Sequence, residues 1–383
     1  TPGIDINVTE VWNDYTGSGI IIGIIDDGVL HSHPDLTDNY DTNLDHDARD
    51  GDDDAAPGPS DSHGTAVAGV IAAGEGNGIG VTGVAFDATI AGFRTDFSHD
   101  QLIENLPLQA NVDISNNSWG WGGNTFLDDF STPAFWPAGD AILNAVTEGR
   151  DGLGTVVVFA AGNGRAFYPN AWQIPIGSAI AGQDVNYHNF GNSPHTIAVA
   201  ALDHNGQVAA FSTPGAPILV SAPGVNITTT DRTDYYGYTF DDYVSIGGTS
   251  FSSPITSGVV ALMLEANPGL GYRDVQEILA YSARQTDASS PGWDVNGAAN
   301  WNGGGLHVSH DYGYGLIDAY AAVRLAETWE LTSTQANLAT VSASSSPALT
   351  ISDLWQPGLP WEPGMAGTTT DTIQISSGLR IDH

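Results

Sequence analysis

Short apolar runs alternate with amphipathic stretches along most of the chain. Residues 20–26 (IIIGIID) are a continuous apolar run closed by an acid, the pattern of a buried parallel strand that ends at Asp26. Similar runs at Thr89–Phe93, Val112–Ser115, Thr155–Ala160, Thr196–Ala201 and Ile218–Ser221 predict further strands. Between them, Gly64–Ala73, Ala138–Glu148, Ser252–Ala266, Tyr272–Ala283 and Ile317–Ala326 predict helices. Strands alternating with helices predict an α/β fold around a mainly parallel sheet, with its sites at the carboxyl ends of strands. Two stretches break the rhythm. Residues 38–63 are rich in Asp, contain Pro57 and Pro59 and lack apolar periodicity, so they predict a loop. From about residue 329, Ser, Thr, Pro and Gly dominate through Gly367, and Thr372–Ile381 then reads as a strand or two. The chain therefore divides into a large α/β domain over 1–328 and, over 329–383, a linker with the incomplete start of a β-rich unit. One hairpin is marginal on its own.

Composition narrows the chemistry. An apolar fraction of 41% over 383 residues is enough for a large core. No run of 18 apolar residues occurs, so no membrane insertion is expected. The absence of Cys excludes disulfides, thiolate metal sites and Cys nucleophiles. The charge is extreme: 45 Asp and Glu against nine cations, all Arg, give a formal net charge of −36. Such a surface repels nucleic acid and anionic membranes. It suits high salt, divalent cations or simple solubility. No charged-then-apolar leader opens the chain at Thr1, so the expectation is a secreted, extracellular protein whose signal and pro-segments are already removed.

Four segments carry candidate chemistry. Asp26-Asp27-Gly28 closes the first strand, Ser62-His63-Gly64-Thr65 opens one helix, and Gly248-Thr249-Ser250-Phe251 opens another. Ser is a weak nucleophile alone. A His must take its proton, and a buried carboxylate must fix the imidazole and stabilise its charged form. Asp26, His63 and Ser250 supply these parts in the chain order Asp…His…Ser. The helix N-terminus at Ser250 favours developing negative charge. Past the strand TVVVFA, Asn163 offers an amide that can donate to an oxyanion together with the Ser250 N–H.

With these segments on view, the sequence resembles the subtilisin-like serine proteases, and more narrowly their kexin/furin-type branch. The resemblance runs over about residues 4–329. It rests on the doubled acid Asp26-Asp27-Gly28, on His33-Pro34-Asp35-Leu36, on Ser118-Trp119-Gly120, on Leu264-Glu265-Ala266-Asn267-Pro268 and on Tyr312-Gly313-Tyr314-Gly315-Leu316-Ile317-Asp318-Ala319. It implies a three-layer subtilisin-like fold with a seven-stranded, mainly parallel sheet. It also implies a catalytic domain over 1–328, a triad of Asp26, His63 and Ser250 with Asn163 as oxyanion donor, and an incomplete companion domain in the tail. Asp27 would line the second substrate subsite, and Ser118, Trp119 and Gly120 would form the substrate-binding strand.

The same resemblance implies Ca²⁺. One site would use Asp35 and the loop 74–81, with Asn77 as a side-chain ligand and carbonyls from Gly74, Ile79 and Val81. Hard oxygen ligands on a glycine-rich loop suit this ion. A second would use Asp47, Asp52 and Asp54. A third family site, beside the specificity pocket, is expected to be lost, since Gly123, Pro169 and Thr213 stand where the family carries acids. No Asp lies between Gly152 and Gly182 to line the first subsite. His188, His195 and His204 read as structural loop residues. The sequence thus predicts a secreted, calcium-dependent serine endopeptidase whose selectivity is relaxed relative to dibasic processing enzymes. The alternatives are a dibasic-specific processing protease and, in another class, an inactive binding protein on a protease fold. Expected partners are protein or peptide substrates and a propeptide or chaperone-type inhibitor.

Overall fold

A computed structural model describes residues 3–120, 128–165, 183–295, 305–342 and 372–375, with the side chains of 339–342 and 372–375 excepted. Seven strands form one sheet: β1 (Ile21–Asp26), β2 (His46–Asp47), β3 (Thr89–Arg94), β4 (Ile114–Asn117), β5 (Val156–Ala160), β6 (Thr196–Leu202) and β7 (Ile218–Pro223). Their order is β2-β3-β1-β4-β5-β6-β7, and every neighbouring pair runs parallel. Successive strands lie to one side of β1 or the other, so the order reverses there. A parallel sheet opens a crevice at the carboxyl end of such a switch point. Here that end is Asp26.

The apolar runs become strands because both sheet faces are covered. Ile22, Ile24 and Ile25 are fully buried, and replacing one such isoleucine with Ala would cost about 2–5 kcal/mol. The glycine inside this run has a packing reason. A Cβ on Gly23 would lie 2.6 Å from the Phe93 ring on the neighbouring strand. Helices α1 (His63–Ala72), α2 (His99–Asn105), α3 (Trp136–Glu148), α4 (Thr249–Ala266), α5 (Tyr272–Ser282) and α6 (Ala319–Glu327) complete the layers. The central one is α4, buried from Thr249 to Leu264 and packed on β4, β5, β6, β7, α1 and α6.

Several details depart from the pattern along the chain. The fourth strand lies two residues later than its apolar run, at Ile114–Asn117. It buries two asparagines, whose amide groups find neighbouring side chains: Asn116 Nδ2 donates to Ser118 Oγ, and Asn117 Nδ2 to Ser115 Oγ. Helix α4 begins at Thr249, three residues before its apolar stripe. Strand β2, helix α2 and the antiparallel hairpin β8 (Ile227–Thr230) with β9 (Tyr243–Ile246) have no clear apolar signature. In the tail, Thr372–Ile375 pairs antiparallel with Ala339–Ser342. Residues 376–381 of the expected strand lie outside the described residues.

Candidate active site

At the end of β1 the Asp26 carboxylate is 1% exposed and faces the imidazole of His63, the first residue of α1. His63 Nδ1 lies 2.9 and 3.0 Å from the two Asp26 oxygens. Two glycines allow this approach. A Cβ on Gly64 would lie 2.4 Å from the Gly28 carbonyl, and Gly28 has φ +123°. Any larger residue at 64 would hold α1 away from the strand end and part the His–Asp pair. Burial lowers the His63 pKa, but the charge and hydrogen bond of Asp26, joined by the charge of Asp27, outweigh it and hold it above the usual histidine value.

Asp27 has a structural role beside the one expected. No side chain within α1 caps its N-terminus, and Asp27 fills the gap from outside. Its Oδ2 accepts the His63 N–H at 3.1 Å and its Oδ1 the Gly64 N–H at 2.7 Å. Burial and then the neighbouring Asp26 charge push its pKa upward. The carboxylate thus helps to position His63, and its remaining lone pairs stay available at the partly exposed end of β1.

Ser250 sits in the first turn of α4, where backbone N–H groups have no partner within the helix. Pro254, four residues on, has no N–H to give the Ser250 carbonyl. Ser118 supplies the bond instead, its Oγ lying 2.9 Å from that carbonyl oxygen. In return the Ser250 hydroxyl donates to the Ser118 carbonyl at 3.1 Å. Ser250 is thus joined here to the end of β4, and among the described residues it makes no hydrogen bond to His63. A χ1 rotation releases it, and such contacts tighten only when substrate binds. The imidazole of His63 packs 5.8 Å, centroid to centroid, from the ring of Phe251 beside the serine.

Asn163 follows β5 and is oriented by its neighbour. Its Oδ1 accepts from the Thr249 N–H at 2.9 Å and from the Thr249 hydroxyl at 3.0 Å. The carbonyl end is therefore held, and Nδ2 is left facing the Gly248–Ser250 corner, 3.5 Å from where a Gly248 Cβ would stand. That is the amide end an oxyanion needs.

Asn163, Ser250, Ser118, Trp119 and Gly120 share the wall of a cavity of about 390 Å³. The Trp119 ring packs edge-on against Phe159 and Phe190. His188, expected to be structural, also lines this cavity together with Asp128. Asp128 lies well before residues 152–182, the stretch that contains no acid.

The expected calcium ligands divide. Asp35 is 2% exposed, and loop 74–81 wraps its carboxylate. Asn77 Nδ2 donates to Oδ1 at 2.6 Å, the Val81 N–H to Oδ2 at 3.1 Å, and the Gly74 N–H to the Asp35 carbonyl at 2.9 Å. Ile79 closes the loop, its N–H 3.0 Å from Asn77 Oδ1. Asp47, Asp52 and Asp54 are not gathered. Arg94 Nη1 lies 2.5 Å from Asp47 Oδ2, Asp52 Oδ1 accepts the Asp54 N–H, and Asp54 Oδ1 accepts the Ala56 N–H. Buried Arg94, which also pairs with Asp50 and Asp61, supplies positive charge to this acidic loop. No three His, Asp or Glu side chains form a metal cluster among the described residues. At the third family position, Thr213 Oγ1 accepts the Gly164 N–H. Gly123 and Pro169 lie outside the described residues.

Comparison with known proteins gives the class. The profile of the subtilase family matches residues 17–315, and the chain belongs to that family. Rat proprotein convertase subtilisin/kexin type 4 is 35% identical over 340 residues, which cover 85% of this chain and 46% of that protein. Mouse furin is 33% identical over 335 residues, covering 85% of this chain and 39% of furin. The chain spans about half the length, or less, of these curated relatives. Among solved structures, a serine protease of Aeromonas sobria in complex with a chaperone has TM-score 0.71 at 25% identity, covering 86% of this chain and 64% of the other.

Proposed function

We propose that this chain is a serine endopeptidase that cleaves peptide bonds through an acyl-enzyme. Asp26, His63 and Ser250 act as its triad, and Asn163 as oxyanion donor. The observation that carries the reading is the buried Asp26 carboxylate on His63 Nδ1, at 2.9 Å, at the sheet's switch point. In this geometry Asp26 fixes the tautomer that leaves His63 Nε2 free to accept a proton. Ser250 Oγ attacks the peptide carbonyl while His63 takes its proton. The oxyanion formed meets the Ser250 N–H and Asn163 Nδ2. His63 then returns the proton to the leaving amine, and water releases the acyl group by the same steps. A fluorophosphonate probe tests the reading directly. It should label Ser250 at neutral to alkaline pH, and an unlabelled, folded protein would overturn it.

The pinned Asn163 amide supports a second expectation. Asn163→Ala should lower kcat by about 10²–10³-fold with little change in KM, because the donor acts on charge that exists only in the transition state. Steady-state kinetics on a chromogenic peptide would measure both. An unchanged kcat would remove Asn163 from the oxyanion site.

Calcium dependence belongs to the same proposal, at Asp35 and the loop 74–81. A 2%-exposed carboxylate with no cationic partner among the described residues, inside a glycine-rich loop, fits a hard cation. Binding would require Asn77 to turn its oxygen towards the ion, with carbonyls from Gly74, Ile79 and Val81 completing the set. The ion would stabilise the loop and has no part in peptide-bond cleavage. A ligand at 100 times its Kd adds about 2.7 kcal/mol to stability. Chelation should therefore lower Tm, and added calcium should restore it. An unchanged Tm with no metal by elemental analysis would remove the site.

Secretion, and a propeptide or chaperone-type partner, complete the reading. The Aeromonas relative's complex with a chaperone supports the partner. No helix among the described residues is long and apolar enough to cross a membrane.

A further inference from the structure

Behind the nucleophile, between β4 and α4, runs a chain of buried polar side chains that the proposed chemistry leaves unused. The Ser257 hydroxyl on α4 donates to Asn116 Oδ1 on β4 at 2.9 Å. Asn116 Nδ2 lies 3.0 Å from Ser118 Oγ, which lies 2.9 Å from the Ser250 carbonyl oxygen. Ser253 Oγ stands 2.9 Å from the same Ser118 hydroxyl. Asn116, Ser253 and Ser257 are 0% exposed. A hydroxyl has one proton to give and two lone pairs that accept. At Ser118 the three neighbours assign them all. The Ser250 carbonyl can only accept, so it takes the Ser118 proton. The Asn116 amide N–H and the Ser253 hydroxyl fill the two lone pairs. This assignment orients the Asn116 amide, and Ser257 holds its other end. The Ser250 carbonyl depends on the arrangement, because Pro254 has no N–H to offer it.

We propose that Asn116 is a positioning residue for the nucleophile: with Ser257 it aims the single proton of Ser118 at the Ser250 carbonyl and so fixes the first turn of α4. The inference rests on the peptidase reading above. That turn carries both groups that must meet the substrate carbonyl, the Ser250 hydroxyl and the Ser250 N–H. Without Asn116 or Ser257 the Ser118 hydroxyl is free to turn its proton away, towards Ser253, and the turn is free to shift. A misplacement of about 1 Å costs about 10²-fold in rate. Ser257 lies two helical turns, about 10 Å, along α4 from Ser250. It therefore reaches the reacting groups only through Asn116 and Ser118.

The test is a double-mutant cycle on kcat, measured with a chromogenic peptide well below the Tm of every variant. Ser257→Ala should lower kcat about 10-fold. KM should stay unchanged, because the lost contact acts on the placement of reacting groups and not on binding. Ser118→Ala, which removes the proton itself, should lower kcat about 10–100-fold. The double variant should be no slower than Ser118→Ala, because residues that act through one another are not additive. The acid limb of the pH profile should keep its midpoint throughout, since the Asp26–His63 pair is untouched. If Ser257→Ala does not fold, Asn116→Ala takes its place in the same cycle. Losses that multiply in the double variant, or an unchanged kcat in the folded Ser257→Ala or Asn116→Ala protein, overturn the inference and leave the peptidase reading standing. No cleavage by the unmodified protein, together with no fluorophosphonate label on Ser250, overturns both.

Discussion

Ser250→Ala should abolish cleavage of any peptide substrate, with kcat falling about 10⁵–10⁶-fold while the protein remains folded. The size follows from the role. Without the hydroxyl no acyl-enzyme forms, and only the oxyanion donors and the substrate-binding wall remain to assist attack by water. The folding cost is small because the hydroxyl makes one hydrogen bond, to the Ser118 carbonyl at 3.1 Å, worth about 1 kcal/mol. The bond that holds the start of α4 in place runs the other way, from Ser118 Oγ to the Ser250 carbonyl, and survives the substitution. Single-turnover assays with thermal melts separate the two effects. A variant that keeps more than a tenth of the activity with an unchanged Tm would show that another group is the nucleophile.

Asp26→Asn should cost about 10⁴-fold in kcat and also move the pH profile. In the intact protein the Asp26 carboxylate outweighs burial and holds the His63 pKa above the ordinary value of 6.5. The catalytic base is the neutral imidazole, so kcat/KM should rise with pH through a midpoint above 6.5 and flatten on the alkaline side. Removing the Asp26 charge takes away the main influence that raises the pKa and leaves the burial that lowers it. The residual activity of the variant should therefore rise through a midpoint shifted to lower pH. A pH–rate series on both proteins measures the pair. An acid limb that stays fixed on replacing Asp26 would separate this carboxylate from the base.

Much of this was legible along the chain. The apolar runs placed six of the seven sheet strands, and the changes of period placed five of the six helices. Asp26, His63 and Ser250 were marked by their positions at a strand end and at helix starts, because parallel α/β sheets present side chains there. Strand β2 escaped because it has two residues in an acidic loop, and α2 because it has only two buried positions. The hairpin of β8 and β9 escaped because the run Ile227–Thr230 is mostly threonine.

What the sequence determined by itself was local: the periodicities that make strands and helices, the glycines that let two of them touch, and the residue types able to do acyl transfer. The tertiary structure decided which charges are free. Asp27, marked as a subsite acid, also caps α1; Asp47 was marked as a metal ligand, yet it pairs with Arg94 from β3. Asp128 carried no signal, yet it lies buried in the cavity beside Ser250. A carboxylate's role depends on the donors that reach it, and here those donors come from residues distant in the chain, brought near only by the folding of the sheet.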